Sequence, residues 1–225
     1  MALNLGKYQR QKSNRRPEFK VEKGEEAVIR ILTFTHKVAK GDVERGLYAK
    51  AELGKSVEEF AMKVERMFGV DKSKRPVFVT PDLLQLYRDI QDEDEDKAKI
   101  IRPQTRYFMN IVDMEKPEKK VELYACPASV FTTILKHVGD KDYGEKILGI
   151  TGHDIRIANT GSKDPKLYYS VVVRPNKGEK LGSELQKQCL DVCSLEFYNS
   201  LAIAWDGNPP AFNVGTSKNG KKKAK

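Results

Sequence analysis

Residues 105–137 decide the fold. They run Thr105-Arg106-Tyr107-Phe108-Met109-Asn110-Ile111-Val112-Asp113, a turn at Glu115-Lys116-Pro117-Glu118, Lys119-Lys120-Val121-Glu122-Leu123-Tyr124-Ala125, and then Pro127-Ala128-Ser129-Val130-Phe131-Thr132-Thr133-Ile134-Leu135-Lys136-His137. The first two runs are rich in β-branched and aromatic residues and are joined by a short Pro-containing turn. They predict an antiparallel hairpin. The third places Val130, Phe131, Ile134 and Leu135 at helical spacing, starts with Pro near the first helical position and stops at Gly139, which predicts an amphipathic helix.

Further strands are predicted on either side of this unit. Upstream, Ala27–Phe34 (AVIRILTF) is an apolar run after the turn-prone Glu22–Glu26. Downstream, His153–Asn159 and Lys166–Arg174 flank a loop, Thr160–Pro165, that is rich in Gly, Ser and Asp. Between the first strand and Thr105, helical signals predict a small lobe at about residues 41–104. Ser56-Val57-Glu58-Glu59 opens a helix to about Phe68, and Thr80-Pro81-Asp82 opens another through Leu83, Leu84, Leu86, Tyr87 and Ile90. Setting that lobe aside, the order is β-β-β-α-β-β. The expected fold is therefore mainly β with a helical insertion (α+β): a five-stranded OB barrel spanning residues 21–182, with the lobe in its first connection. A C-terminal helix is expected over residues 183–205, with Cys189 and Cys193 on one face.

The chain has 225 residues and a formal charge of +9. The charge sits at the ends. Residues 1–20 carry six cations against Glu18, and Lys218, Lys221, Lys222, Lys223 and Lys225 add five more, leaving the intervening body close to neutral. The ends read as a basic flexible arm (1–20) and a disordered basic tail (206–225) suited to loose phosphate contact. Asp92-Glu93-Asp94-Glu95-Asp96 is the one dense anionic run and reads as a solvated loop. No apolar run reaches the ~18 residues of a membrane span, and residues 1–20 are too polar for a signal peptide. Three cysteines without dense spacing predict reduced, buried thiols in a cytosolic protein.

Side chains alternate along a strand, so parity divides each one into a core face and an outer face. In Lys166–Arg174 the core set is Leu167, Tyr169, Val171 and Val173; in Lys119–Ala125 it is Val121, Leu123 and Ala125; in His153–Asn159 it is Ile155 and Ile157. In Thr105–Asp113, Tyr107, Met109 and Ile111 oppose Arg106, Phe108, Asn110 and Val112. Outward aromatics then stand beside outward cations: Phe108 with Arg106, Tyr124 with Lys120, and Tyr168 with Lys166 and Arg174, while Arg156 faces outward from its own strand. Stacking aromatics along a basic track suit single-stranded nucleic acid. Ordinary amphipathic strands give the same pattern, and nothing in it reads a 2′-hydroxyl, so RNA is served as well as DNA.

Glu25–Leu32, Arg106–Val112, Lys119–Tyr124 with the helix to Val138, Gly152–Ile157 and Leu167–Val173 together resemble the single-stranded DNA-binding (helix-destabilising) proteins of tailed phages, over roughly residues 20–175. The resemblance implies cooperative, sequence-independent coating of single-stranded DNA in replication, recombination and repair, in the cytoplasm of the infected host cell. It assigns DNA contact to Arg30, Arg106, Tyr107, Phe108 and Tyr124, and parity favours Phe108 over Tyr107. It also makes Lys7, Arg10, Lys12, Arg15 and Arg16 a cooperativity arm that docks on the neighbouring copy along the lattice. Two features depart from the family. The lobe has neither Cys nor His, so the structural zinc of well-known members is not expected. The C-terminus is basic where members carry an acidic tail, and Asp92–Asp96 is the only candidate for that tail's competing role. An alternative reading is an OB adaptor that recruits a phage polymerase, RNA polymerase or recombinase through Trp205, Phe212 and the helical end.

No catalytic constellation stands out. The chain lacks a Walker loop, a dinucleotide fingerprint, Gly-x-Ser-x-Gly and His-Glu-x-x-His, and His36, His137 and His153 are scattered. The expectation is a protein that is not an enzyme and needs no cofactor or metal.

Overall fold

The computed structural model describes residues 18–32, 62–70, 76–164, 167–176, 178–190, 192 and 207. Its strands are β1 (Glu18–Phe19), β2 (Glu26–Leu32), β3 (Met62–Met67), β4 (Val77–Phe78), β5 (Gln104–Asp113), β6 (Val121–Pro127), β7 (Asp154–Asn159) and β8 (Tyr169–Arg174). Its helices are α1 (Pro81–Glu93), α2 (Glu95–Ile101), α3 (Ala128–Val138) and the short α4 (Ser183–Lys187), with a 3-10 turn at Gly144–Ile147. The result is a mixed α/β domain on one eight-stranded sheet of order β1-β6-β5-β2-β7-β8, with β3 and β4 attached through β5. The expected strand-strand-helix unit at residues 105–137 is present, its hairpin paired from Arg106↔Pro127 to Val112↔Val121.

The sheet does not close on itself. Among the described residues β8 pairs only with β7, and the free edge of β6 is taken by β1, which runs parallel to it with Glu18↔Leu123 and Phe19↔Tyr124 in register. An open seam is left between β6 and β8. Glu18 and Phe19 therefore belong to the folded body, although the charge pattern assigns them to the arm.

One face of the sheet packs on α3. Ile29, Ile31, Tyr107, Met109, Ile111, Tyr124, Ile155 and Ile157 meet Val130, Phe131 and Ile134 there. Each fully buried aliphatic side chain contributes roughly 1.5–3 kcal/mol relative to exposure. Tyr107 stacks on Phe131 with centroids 3.9 Å apart and planes 13° from parallel. Parity is as expected in β5, β7 and β8 but reversed in β6: Tyr124 and Cys126 face the principal core, and Val121 faces the opposite side. Leu167, expected in the core, precedes β8 and is exposed.

The opposite face is also covered. Leu181 and Leu185 close over Leu32, Val112 and Val121, and the Asn110 side chain holds the backbone of Leu190 by accepting from its N–H (2.8 Å) and donating to its carbonyl (3.1 Å). The expected long C-terminal helix ends at Lys187, and the chain continues as an irregular strap through Leu190. Cys189 is half-buried on this cluster, and Cys193 lies outside the described residues.

The lobe differs from expectation in one element. Residues 62–67, predicted as the end of a helix, form β3 and pair with Gln104–Phe108. β2 covers only Asn110–Asp113 of the ten-residue β5, and the remaining edge of β5 needs backbone partners that β3 supplies. Residues 56–61 lie outside the description. The predicted helix at Thr80 is α1, its first turn capped by the Thr80 hydroxyl accepting from Leu83 N–H at 3.3 Å. The acidic run is not a loop. It ends α1 and starts α2, with Asp94 Oδ1 accepting from the N–H groups of Asp96 and Lys97, both at 3.1 Å. These bonds, led by the one from Lys97, hold the Asp94 carboxyl below its ordinary range.

Candidate nucleic-acid interface

A groove opens at the seam between β6 and β8. Two adjoining hollows of about 450 and 350 Å³ share Lys23, Tyr168 and Tyr169, and they extend past Arg106 to Arg66 and Phe68 at one end and to Lys163 and Ser129 at the other. The floor is Tyr124, Ala125 and Pro127 of β6, with the segment Glu18–Lys23 crossing it. That segment is tied to the end of β7: Asn159 Nδ2 donates to Val21 O at 3.2 Å, and Gly24 N–H donates to Asn159 O at 2.8 Å.

The groove brings aromatics and cations together. Tyr168 and Tyr169, both half-buried, meet edge to face at 4.9 Å where the loop after β7 enters β8. Burial and the neighbouring Tyr168 raise the Tyr169 phenol above its usual range, with Arg106 opposing them. Arg106, half-buried, is positioned by hydrogen bonds to Thr105 O (2.9 Å) and Gln104 Oε1 (2.7 Å); it forms no ion pair with a described carboxylate. Lys20, Lys23 and Lys163 are exposed along the same path. Lys23 lies across Gly161, whose φ of +68° is a conformation open to glycine; a Cβ there would fall 2.5 Å from Lys23 Cε. At the far end Arg66 lies over the rings of Phe68 (5.4 Å) and Phe108 (5.0 Å), and its Nη1 pairs with Glu18 Oε1 at 3.0 Å.

Of the expected contact residues, Arg106 and Tyr168 meet here, with the buried Tyr124 beneath them. Four assignments need correction because the side chains are sealed in the fold. Arg30 is fully buried: it donates from Nε to Asp154 Oδ1 (2.8 Å) and from Nη1 to the carbonyls of Ile150 (3.2 Å) and Glu179 (2.8 Å), tying β2 to β7 and the strap. Tyr107 is stacked on Phe131 in the core, Phe108 is buried beneath Arg66, and Tyr124 is buried against Phe19, centroids 5.2 Å apart. Burial also pushes the Tyr124 phenol and the Cys126 thiol upward, so both stay neutral. Parity shows that a side chain leaves the principal core face; it does not show that another segment covers the opposite side.

The other candidates lie elsewhere. Lys120 is exposed beside an acidic hollow that includes Glu25, Glu26, Asp113, Glu115 and Glu122. Arg156 reaches Glu26 at 3.7 Å, and Arg174 is exposed at the end of β8 remote from Tyr169. Lys166, the arm residues Lys7, Arg10, Lys12, Arg15 and Arg16, and Trp205 and Phe212 fall outside the described residues. Sequence reasoning missed Lys20, Lys23, Arg66, Phe68, Lys163 and Tyr169. The alternation Val64, Arg66, Phe68 was the available signal for the last turn of β3 and the residue after it. The lysines carry no signal until the segment and loop that hold them are placed.

No family model matches the chain, and a search of curated proteins returned no match. Among the described residues there is no cluster of His, Cys, Asp and Glu able to hold a metal ion, and no helix long and apolar enough to cross a membrane.

Proposed function

We propose that this protein binds single-stranded DNA without sequence preference and coats it during phage replication, recombination and repair, acting as a binding protein and not as an enzyme. The observation that carries the reading is the groove at the seam: two adjacent half-buried tyrosines flanked by Lys23, Lys163 and Arg106, the last lacking any carboxylate partner among the described residues. Bases stack on such rings at ~1–3 kcal/mol each, while the cations follow the phosphates.

The strand order supports the same reading. The path β6-β5-β2-β7-β8, with α3 between β6 and β7, is the order of an OB barrel left open between its third and fifth strands. The groove then lies between the hairpin β3–β4 in the first connection and the loop Thr160–Tyr168 in the last, and those two connections frame oligonucleotide sites in OB folds.

Fluorescence titration with poly-dT at several salt concentrations tests the proposal. Four groove cations, Lys20, Lys23, Arg106 and Lys163, predict a slope of log K against log salt of about −3 before any contribution from the arms, at ~0.7 per phosphate on single strands. Arg106→Gln makes that slope shallower by about 0.7. Binding that is insensitive to salt, or that is as tight to duplex as to single strand, refutes the reading.

A further inference from the structure

We infer that Glu18 is a built-in stand-in for a DNA phosphate, occupying Arg66 until a single strand displaces it; the inference rests on the proposed function and concerns the regulation of that same groove. Arg66 is the groove cation most fully prepared for an anion. The residue is 3% exposed, its guanidinium lies over the rings of Phe68 and Phe108, and its Nη1 is directed to a carboxylate at 3.0 Å. A guanidinium presents its N–H groups in a planar fork that suits carboxylate and phosphate oxygens alike, and packing over aromatic rings restrains it.

The carboxylate that meets it comes from a weakly held element. β1 is two residues long and is the parallel edge of the sheet. Glu18 is its first residue and keeps 19% of its side chain in solvent, whereas Phe19 beside it is buried against Tyr124. Phe19 thus anchors the strand while Glu18 stays at the rim, where a side-chain rotation opens the Glu18–Arg66 pair without unseating the core. Glu18 also directly follows the basic residues 1–17, so displacement of its carboxylate by DNA acts on the attachment point of the arm.

The test uses the full chain with a dT oligonucleotide of about eight nucleotides, within the span of a single OB site. Glu18→Gln removes the competitor and keeps the size. The expected result is an affinity about tenfold higher at low salt, the scale of one charge-assisted hydrogen bond. The slope of log K against log salt should also steepen by up to about 0.7, one additional phosphate contact. Both gains vanish in the Glu18→Gln, Arg66→Gln double variant, because they run through Arg66. An unchanged slope and affinity in Glu18→Gln, or gains that persist without Arg66, overturn the inference. A wild-type measurement covers the case in which Glu18→Gln does not fold: the Arg66 Nε–H resonance must shift on adding the oligonucleotide, and a resonance that stays in place overturns the inference. Wild-type protein that does not bind the oligonucleotide instead refutes the function itself, so the two failures are distinct.

Discussion

Replacing Tyr107 and Tyr168 separately by Ala separates a residue that builds the domain from one proposed to meet the ligand. Both are aromatic residues of strand-like segments and both neighbour a cation; the family resemblance assigns DNA contact to Tyr107, and the strand-face pattern assigns it to Tyr168. Tyr107 is 4% exposed, with its ring 3.9 Å from Phe131 and nearly parallel to it. Truncating a buried aromatic to Ala costs about 3–5 kcal/mol. For a chain of this size each kcal/mol moves the melting midpoint by about 2–4 °C, so Tyr107→Ala should melt about 6–20 °C below wild type. Tyr168 is half-buried at the groove, and its truncation leaves no core cavity. Losing one stacked base at ~1–3 kcal/mol weakens poly-dT binding by about 5- to 150-fold with the melting midpoint nearly unchanged. Calorimetry and fluorescence titration on the same preparations read both quantities. A Tyr107→Ala protein that melts like wild type but binds DNA poorly, paired with a Tyr168→Ala protein that does the reverse, refutes the placement of the site at the seam.

Three further predictions concern the framework around the groove. Arg30→Met should destabilise the fold by up to about 3–5 kcal/mol, less to the extent that Asp154 keeps its partial access to water, because the Asp154 carboxylate loses its cation while the Ile150 and Glu179 carbonyls keep only the Leu181 N–H and Asn176 Nδ2 as donors; the salt dependence of DNA binding should not change, and a shallower slope would restore Arg30 as a phosphate contact. Asn110→Ala removes both bonds to Leu190 at about 1–3 kcal/mol for each buried group left unpaired, and should speed amide exchange and proteolysis across residues 181–190 by at least about tenfold; unchanged exchange would mean that Leu181 and Leu185 alone retain the strap. The Asp94 carboxyl is depressed in the fold, so its contribution to the α1–α2 junction is present above the unfolded aspartate value of ~3.9 and is lost as pH falls through the lower folded value. A carboxyl titration by NMR should place its midpoint below ~3.9, and one at or above that value contradicts the capping geometry.

Legibility of the sequence followed the range of the interactions that decide each element. The hairpin and helix of residues 105–138 and the strands β2, β7 and β8 are written in local periodicity, and each appears within a few residues of its expected bounds. Residues 62–67 were not legible as a strand, because their conformation answers the unpaired edge of β5 about forty residues away. β6 was misread by one register of parity: Val121, Leu123 and Ala125 look like a core set, yet Val121 packs with Leu181 and Leu185 and Ala125 lines the groove, and the larger Tyr124 turns inward to meet Phe19. The same strap, invisible to strand parity, removes Asn110 and Val112 from the surface, and Arg66 lies over Phe108. The groove was half legible. Arg106 and Tyr168 follow from pattern, whereas Lys23, Lys163 and Arg66 join them only once segment 18–23, the loop after β7 and β3 are folded against β6 and β8.

Photocrosslinking tests the central claim most directly. An iododeoxyuridine-substituted single strand is bound to the full chain, irradiated and digested, and the attached peptides are identified by mass spectrometry. The account predicts adducts on Tyr168, Tyr169 and Phe68, the accessible rings of the seam groove, and none on Tyr107 or Phe108. Crosslinks concentrated on Tyr107 or Phe108, or on peptides around Lys120 and Arg174 with the seam untouched, would contradict it.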